Sequence, residues 1–247
     1  MSVFRGGKTV YGASVGILML ETRFPRIPGD MGNALSWPFP VHYRVVRGAT
    51  PNRVVLQDAR ELTSEFIDAA RELVAMGADG ITTNCGFLAL VQDELASATG
   101  VPVASSSLMQ VPFVQSILPP GKRVGILTIS KSSLSEAHLT SSGVPLDTPI
   151  VGTNPKGAFA TGILNDQESL NFADCRADNL SAASELCAQN PDVGAIVLEC
   201  TNMVPYAADI RQITGLPVFS IHSFISWFQA GLMPRRFESV LDDGRTK

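Results

Sequence analysis

Two cysteines in this chain have matching surroundings. Thr82-Thr83-Asn84-Cys85-Gly86 follows the short run at 78–81, and Glu199-Cys200-Thr201-Asn202 follows the apolar run at 193–198. The thiols stand 115 residues apart, as do Gly100-Val101-Pro102-Val103 and Gly215-Leu216-Pro217-Val218 downstream. Upstream, Val15-Gly16-Ile17-Leu18 reappears as Val124-Gly125-Ile126-Leu127 at an offset of 109. A duplicated α/β unit with one thiol per copy accounts for this spacing. A thiol where a strand meets the next helix lies near free backbone N–H groups and the positive end of a helix dipole, an environment that favours thiolate. Thr83, Asn84, Thr201 and Asn202, with the loop backbone at Gly86, would supply hydrogen-bond donors to a carboxylate. Two thiols reaching one ligand from opposite sides suit 1,1-proton transfer: one removes an α-proton, the other returns one, and the site stabilises the carbanion between them.

A lone cysteine at a strand end is more often a small buried hydrophobe, which is our reading of Cys175 and Cys187 in the long helical pattern at 166–189. Duplication in register sets Cys85 and Cys200 apart from that reading. With three histidines and no C-x-x-C or H-x-x-x-H spacing, no metal site is expected.

The elements that must position the thiols follow from the patterning. The apolar run at 14–20 fits a strand covered on both faces of a parallel sheet. Further strands are expected at 41–46, 78–83, 101–104, 123–129, 148–151, 193–198 and 217–221. Helices are expected at 61–76, 87–99, 108–118, 166–189, 205–213 and 222–232, and one ending near Leu139 capped by Ser130 or Ser132. The fold class is α/β: two similar lobes with mainly parallel sheets, related by a pseudo-twofold, with a cleft between them. Residues 1–107 plus 222–247 form the first lobe, carrying Cys85, and residues 108–221 the second, carrying Cys200. The segment at 21–40 holds four prolines and is too punctuated for helix or strand; it is either a surface connection or, as long loops after strands in α/β sheets often are, part of the ligand site. Arg23 is placed there as a carboxylate-binding candidate, with Arg26 beside it. His222 is the histidine nearest a strand end.

Composition narrows the class. A net charge of -4 without a basic cluster argues against nucleic acid or an anionic membrane as partner. Four cysteines in 247 residues do not make a disulfide framework, so free thiols in a cytoplasmic protein are expected. The run at 13–20 lacks a cleavage site and is far shorter than the roughly 20 apolar residues of a membrane span.

Asn84-Cys85 and Glu199-Cys200-Thr201, at the ends of matching strands in two repeated halves, resemble the aspartate/glutamate racemase superfamily, which also includes hydantoin and allantoin racemases and arylmalonate decarboxylase. The resemblance runs from Val15 to about Leu232. It implies two α/β lobes around a cleft, chemistry without a cofactor, Cys85 and Cys200 as the acid/base pair, a homodimer, and a C-terminal helix returning to the first lobe. Glutamate racemases carry an acidic residue and serine directly after the first strand, where this chain reads Met19-Leu20-Glu21-Thr22-Arg23. They also follow the second Cys-Thr with histidine, where Asn202 stands here. These departures speak against a standard glutamate racemase, and the second cysteine speaks against arylmalonate decarboxylase. The expectation is an isomerase: a PLP-independent racemase of a small carboxylate-bearing amino acid or derivative. A hydantoin- or allantoin-type racemase, favoured by an apolar cleft lined by Phe87, Met203 and Tyr206, is the alternative enzyme. A non-catalytic small-molecule binding protein on the same fold is the alternative of another class.

Overall fold

Strand β1 (Val15–Leu20) is buried at every position, and alternate side chains enter different clusters. Leu18 and Leu20 join the main core, whereas Val15, Ile17 and Met19 pack with Met31, Trp37, Ile221 and Ile225 on the other face. Such a strand belongs in the middle of a parallel sheet covered on both sides. In the computed structural model, which describes residues 3–237, β1 pairs in parallel with β2 (Val41–Val46) and β3 (Gly80–Thr83), and β3 with β4 (Val103–Ala104). The second half repeats this with β5 (Arg123–Thr128), β6 (Ile150–Gly152), β7 (Val193–Leu198) and β8 (Val218–Phe219). The two sheets have the equivalent orders β2-β1-β3-β4 and β6-β5-β7-β8. The chain thus has the two-sheet parallel α/β fold that its repeats imply.

Helices α1 (Thr63–Met76), α2 (Gln92–Thr99), α3 (Val111–Ser116) and α4 (Glu136–Ser141) are followed by α5 (Ala158–Leu164), α6 (Phe172–Gln189), α7 (Ala207–Thr214) and α8 (Ile221–Leu232). Several boundaries differ from the sequence expectation for local reasons. After each thiol the chain makes a 3-10 turn, Gly86–Val91 or Thr201–Tyr206, before α2 or α7 begins. Helix α4 is capped by Ser135 through a reciprocal box with His138, not by Ser130 or Ser132. Helix α6 starts at Phe172 under an Asn171 cap, because Asp166 takes a positive φ of 52° and turns the chain. Helix α5 lies in the stretch before it, to which the sequence patterning assigns no element.

Helix α8 crosses back onto the first sheet. A Cβ at Gly80 would lie 2.6 Å from Phe228 Cζ and 2.7 Å from Leu232 Cδ1, so only glycine lets this helix approach β3 so closely. His222 on the same helix bonds the Ser36 carbonyl at 2.8 Å and stacks on Trp37, which anchors the 21–40 loop. The remainder of the expected C-terminal return, 238–247, lies outside the described residues, as do residues 1 and 2. Among the described residues no helix is long and apolar enough to cross a membrane.

Candidate active site

Each thiol occupies the N-cap position between its strand and its 3-10 turn, and both α2 and α7 end on a left-handed glycine, Gly100 (φ 67°) and Gly215 (φ 69°). The repeat therefore extends from residue type to backbone conformation. The carboxyl ends of β1, β3, β5 and β7 converge on one small cavity. Thr22, Arg26, Asn84, Cys85, Gly86, Phe87, Glu199, Cys200, Thr201 and Asn202 line it, with apolar closure from Leu20, Phe24, Ile163 and Leu164. Its volume of about 20 Å³ leaves room for roughly one water.

The two loops are joined directly. Thr201 Oγ1 donates to the Asn84 carbonyl at 2.5 Å, across the space between the lobes. Thr83 does not line the cavity; its hydroxyl donates to the Ser105 carbonyl at 2.6 Å and accepts from the Cys85 N–H at 3.3 Å, holding the first thiol loop in place. Asn84 Oδ1 accepts the Leu20 N–H at 2.8 Å, which leaves its amide NH2 as a donor. Asn202 Nδ2 donates to Asp30 Oδ2 at 2.6 Å, and its Oδ1 faces the Cys200 thiol at 3.8 Å. Asp30 also receives Arg26 Nη1 at 2.7 Å, while Arg26 Nη2 donates to Thr22 Oγ1 at 2.8 Å and the guanidinium lies over the Phe24 ring. The chain Arg26–Asp30–Asn202–Cys200 thus runs from the 21–40 loop to the second thiol, and that loop is part of the site.

Arg23 is a correction. Its side chain is 68% exposed and pairs with Asp166 and Glu168 outside the cavity. Arg26, three residues on, is the basic residue among those lining the cavity, and its side chain is 13% exposed. The local sequence offered two arginines in a proline-rich loop with no period to orient them, so only the folded loop separates their roles. None of His42, His138 and His222 lines the cavity, nor do Met203 and Tyr206. Among the described residues no group of three or more His, Cys, Asp or Glu is arranged to hold a metal ion.

The electrostatics also depart from expectation. The thiols were expected near helix N-termini and hence toward thiolate, but burial dominates. It pushes the Cys85 thiol up to about 12, with the Glu199 carboxylate adding to the rise, against a backbone N–H from Phe87 that opposes it. Cys200 is raised well above the ordinary thiol range by burial and by Glu199, against the N–H of Asn202. Desolvation of a small anion outweighs one backbone donor.

Glu199 is absent from the site residues expected from the sequence, which places it beside the second thiol and leaves its assistance open. It occupies the position equivalent to Asn84 in the repeat and is fully buried; its Oε2 accepts from Thr128 Oγ1 at 2.7 Å, while Oε1 has no partner. Burial raises its carboxyl to about 7. The signal was present as a glutamate adjoining the cysteine after a six-residue apolar strand, a position where an unpaired carboxylate is costly.

A stability consequence follows. Glu199 titrates near 4.5 when free and at about 7 when buried, so between these values the native state holds the extra proton. Its contribution is present below about 4.5 and is lost as pH rises through 7, a loss of roughly 3 kcal/mol. His138 has the opposite sign: burial lowers it from 6.5 to about 4, the unfolded chain binds the extra proton, and stability is gained over nearly the same interval, again by roughly 3 kcal/mol. Urea unfolding of the wild type should therefore vary little from about pH 4.5 to 6.5, whereas Glu199→Gln should gain stability with rising pH. A Glu199→Gln profile as flat as the wild type would remove the assigned titration.

No family model matches the chain. A dimethylsulfoniopropionate lyase of Durusdinium sp. clade D is 30% identical over 231 residues, covering 90% of this chain and 75% of that protein. Among solved structures, a mutant of arylmalonate decarboxylase in its sulfate-associated form superposes with a TM-score of 0.60 at 16% identity, covering 92% of this chain and 96% of that one. Picrophilus torridus aspartate racemase does so with a TM-score of 0.57 at 13% identity, over 92% and 96% respectively. These structures establish the fold of the aspartate/glutamate racemase superfamily, and the names of the relatives carry enzyme character with lyase chemistry. On the identity and coverage of the Durusdinium relative, the chain belongs to the dimethylsulfoniopropionate lyase family.

Proposed function

We propose that this protein is a lyase that takes a proton from the carbon α to a carboxylate and expels a sulfide from the β-carbon, with dimethylsulfoniopropionate or a close zwitterionic analogue as substrate. The observation that carries this reading is the pairing, in one small cavity, of two thiols with a single lining guanidinium, Arg26, in a chain of this family. Arg26 and the free amide of Asn84 would take the carboxylate and the charge that moves onto it as the α-proton leaves. A thiolate accepts that proton, the C–H pair becomes the new C=C bond, and the C–S pair departs with the sulfur. The products are acrylate and neutral dimethyl sulfide, with the proton on the cysteine, and no electron is gained or lost overall. A sulfonium has no N–H or O–H to donate; the Phe87 ring and the thiolate itself suit its charge, and the cation in turn favours thiolate.

Duplication of the thiols supports a second reading, the cofactor-independent racemase expected from the repeat, in which the partner thiol returns the proton. Incubation with dimethylsulfoniopropionate, with headspace chromatography for the sulfide and NMR for acrylate, separates the two. Equimolar sulfide and acrylate are expected, together with a severalfold rise in KM in Arg26→Lys. Absence of sulfide, with racemisation and solvent deuterium uptake in single enantiomers of small amino acids, would replace the lyase by the racemase.

A further inference from the structure

We infer that Glu199 is the proton store of the site, taking the proton that a thiol must lose before it acts as base, and so working through the thiols as a positioning residue. The inference rests on the proton-transfer reading above. It starts from an asymmetry in the repeat: Asn84 and Glu199 occupy equivalent positions, one before each thiol, yet only the second is ionisable. The Asn84 amide oxygen is engaged by the Leu20 N–H. Glu199 Oε1, by contrast, is an orphaned buried oxygen on the cavity wall, packed against Gly86 between the two thiol loops.

The surrounding charges make the assignment specific. Cys85 reaches the cavity from the β3 loop, Cys200 adjoins Glu199 on its own loop, and Arg26 and Asp30 come from the β1 loop as an ion pair at 2.7 Å. Tyr206 stands behind Cys200, and His138 lies against the far side of Phe87 with a ring separation of 5.0 Å. Once Arg26 and Asp30 offset one another, the small cavity tolerates one further negative charge. If it rests on Glu199, both thiols keep their protons, since the carboxylate raises both. Transfer of the thiol proton, Cys–SH plus Glu–COO⁻ giving Cys–S⁻ plus Glu–COOH, moves that charge without adding another to a desolvated site. A cationic group on the substrate lowers the cost of placing it on sulfur. After elimination the cysteine holds the substrate proton, and Glu199 releases its own to solvent.

Infrared difference titration of the whole protein tests this, because S–H and protonated-carboxyl C=O stretches report the two sites separately. Wild type should lose a carboxyl band around neutrality, absent from Glu199→Gln, and Thr128→Val should move that midpoint upward by removing the one hydrogen bond to the carboxylate. The S–H bands of Glu199→Gln should titrate at lower pH than those of wild type, and its turnover should fall on the order of 100-fold, with the ascending pH limb displaced. At about pH 8, binding of 3-(trimethylammonio)propanoate, a zwitterion with a poor leaving group, should restore the carboxyl band as an S–H band is lost. Thiol titration unchanged by Glu199→Gln, or a carboxyl band indifferent to the bound analogue, overturns the inference. Failure of the analogue to bind at all overturns the substrate assignment instead, and the titrations without ligand still decide the role of Glu199.

Discussion

Cys85→Ala and Cys200→Ala should lose activity unequally, one by about 10² to 10⁴-fold and the other by far less, a range typical of removing a positioned base. The reason lies in the leaving group. A sulfonium departs as neutral dimethyl sulfide and needs no proton, so an elimination requires one base and no acid. Racemisation requires both, because a proton removed from one face must be returned on the other, and either substitution would then be equally damaging. The site already breaks its own symmetry: the residue before one thiol is an amide and before the other a carboxyl, and only Cys200 faces an asparagine side-chain oxygen, that of Asn202. Sulfide release measured side by side in the two variants, with unfolding curves to confirm that each is native, gives the answer. Equal losses would count against the one-base elimination and in favour of two-sided proton transfer.

Gly86→Ala should be destabilising by about 2–3 kcal/mol and should reduce turnover by 100-fold or more. A Cβ there would overlap Glu199 Oε1 and lie 2.6 Å from the Glu199 carbonyl oxygen. The carboxyl could swing aside, but the backbone oxygen could not, so the two thiol loops would have to separate. Separation strains the Thr201 bond to the Asn84 carbonyl and shifts each sulfur relative to the other. Denaturant unfolding and sulfide release on the same preparation measure both effects. Native stability together with native turnover would show that the loops do not approach as closely as the structure places them.

The positions of Cys85 and Cys200 were legible in the sequence because they depend on short-range rules. Apolar runs covered on both faces mark the central strands, the repeat offset aligns the two copies, and a cysteine directly after such a strand reaches the carboxyl edge of a sheet, where ligand sites of α/β folds lie. The fold class follows from the same local regularities, whereas the strand orders of the two sheets came only from the structure. The 21–40 loop has no period and so revealed only its length; its role comes from Trp37, Met31 and Phe24 burying themselves against remote elements, which turns Arg26 inward and leaves Arg23 at the surface.

What tertiary structure alone decided is protonation. Placing a thiol at the start of a helical turn is a local matter, and by itself it favours the anion. Desolvation is the sum over every atom that displaces water, and here those atoms come from the β1, β3, β5 and β7 loops and from α5, segments far apart in the chain. That sum exceeds the contribution of one N–H dipole, so both thiols are held protonated and a glutamate that looked like a flanking residue carries a carboxyl near neutrality. The sequence by itself determined which atoms stand at the strand ends; the packing of both lobes around them determined which of those atoms hold a proton.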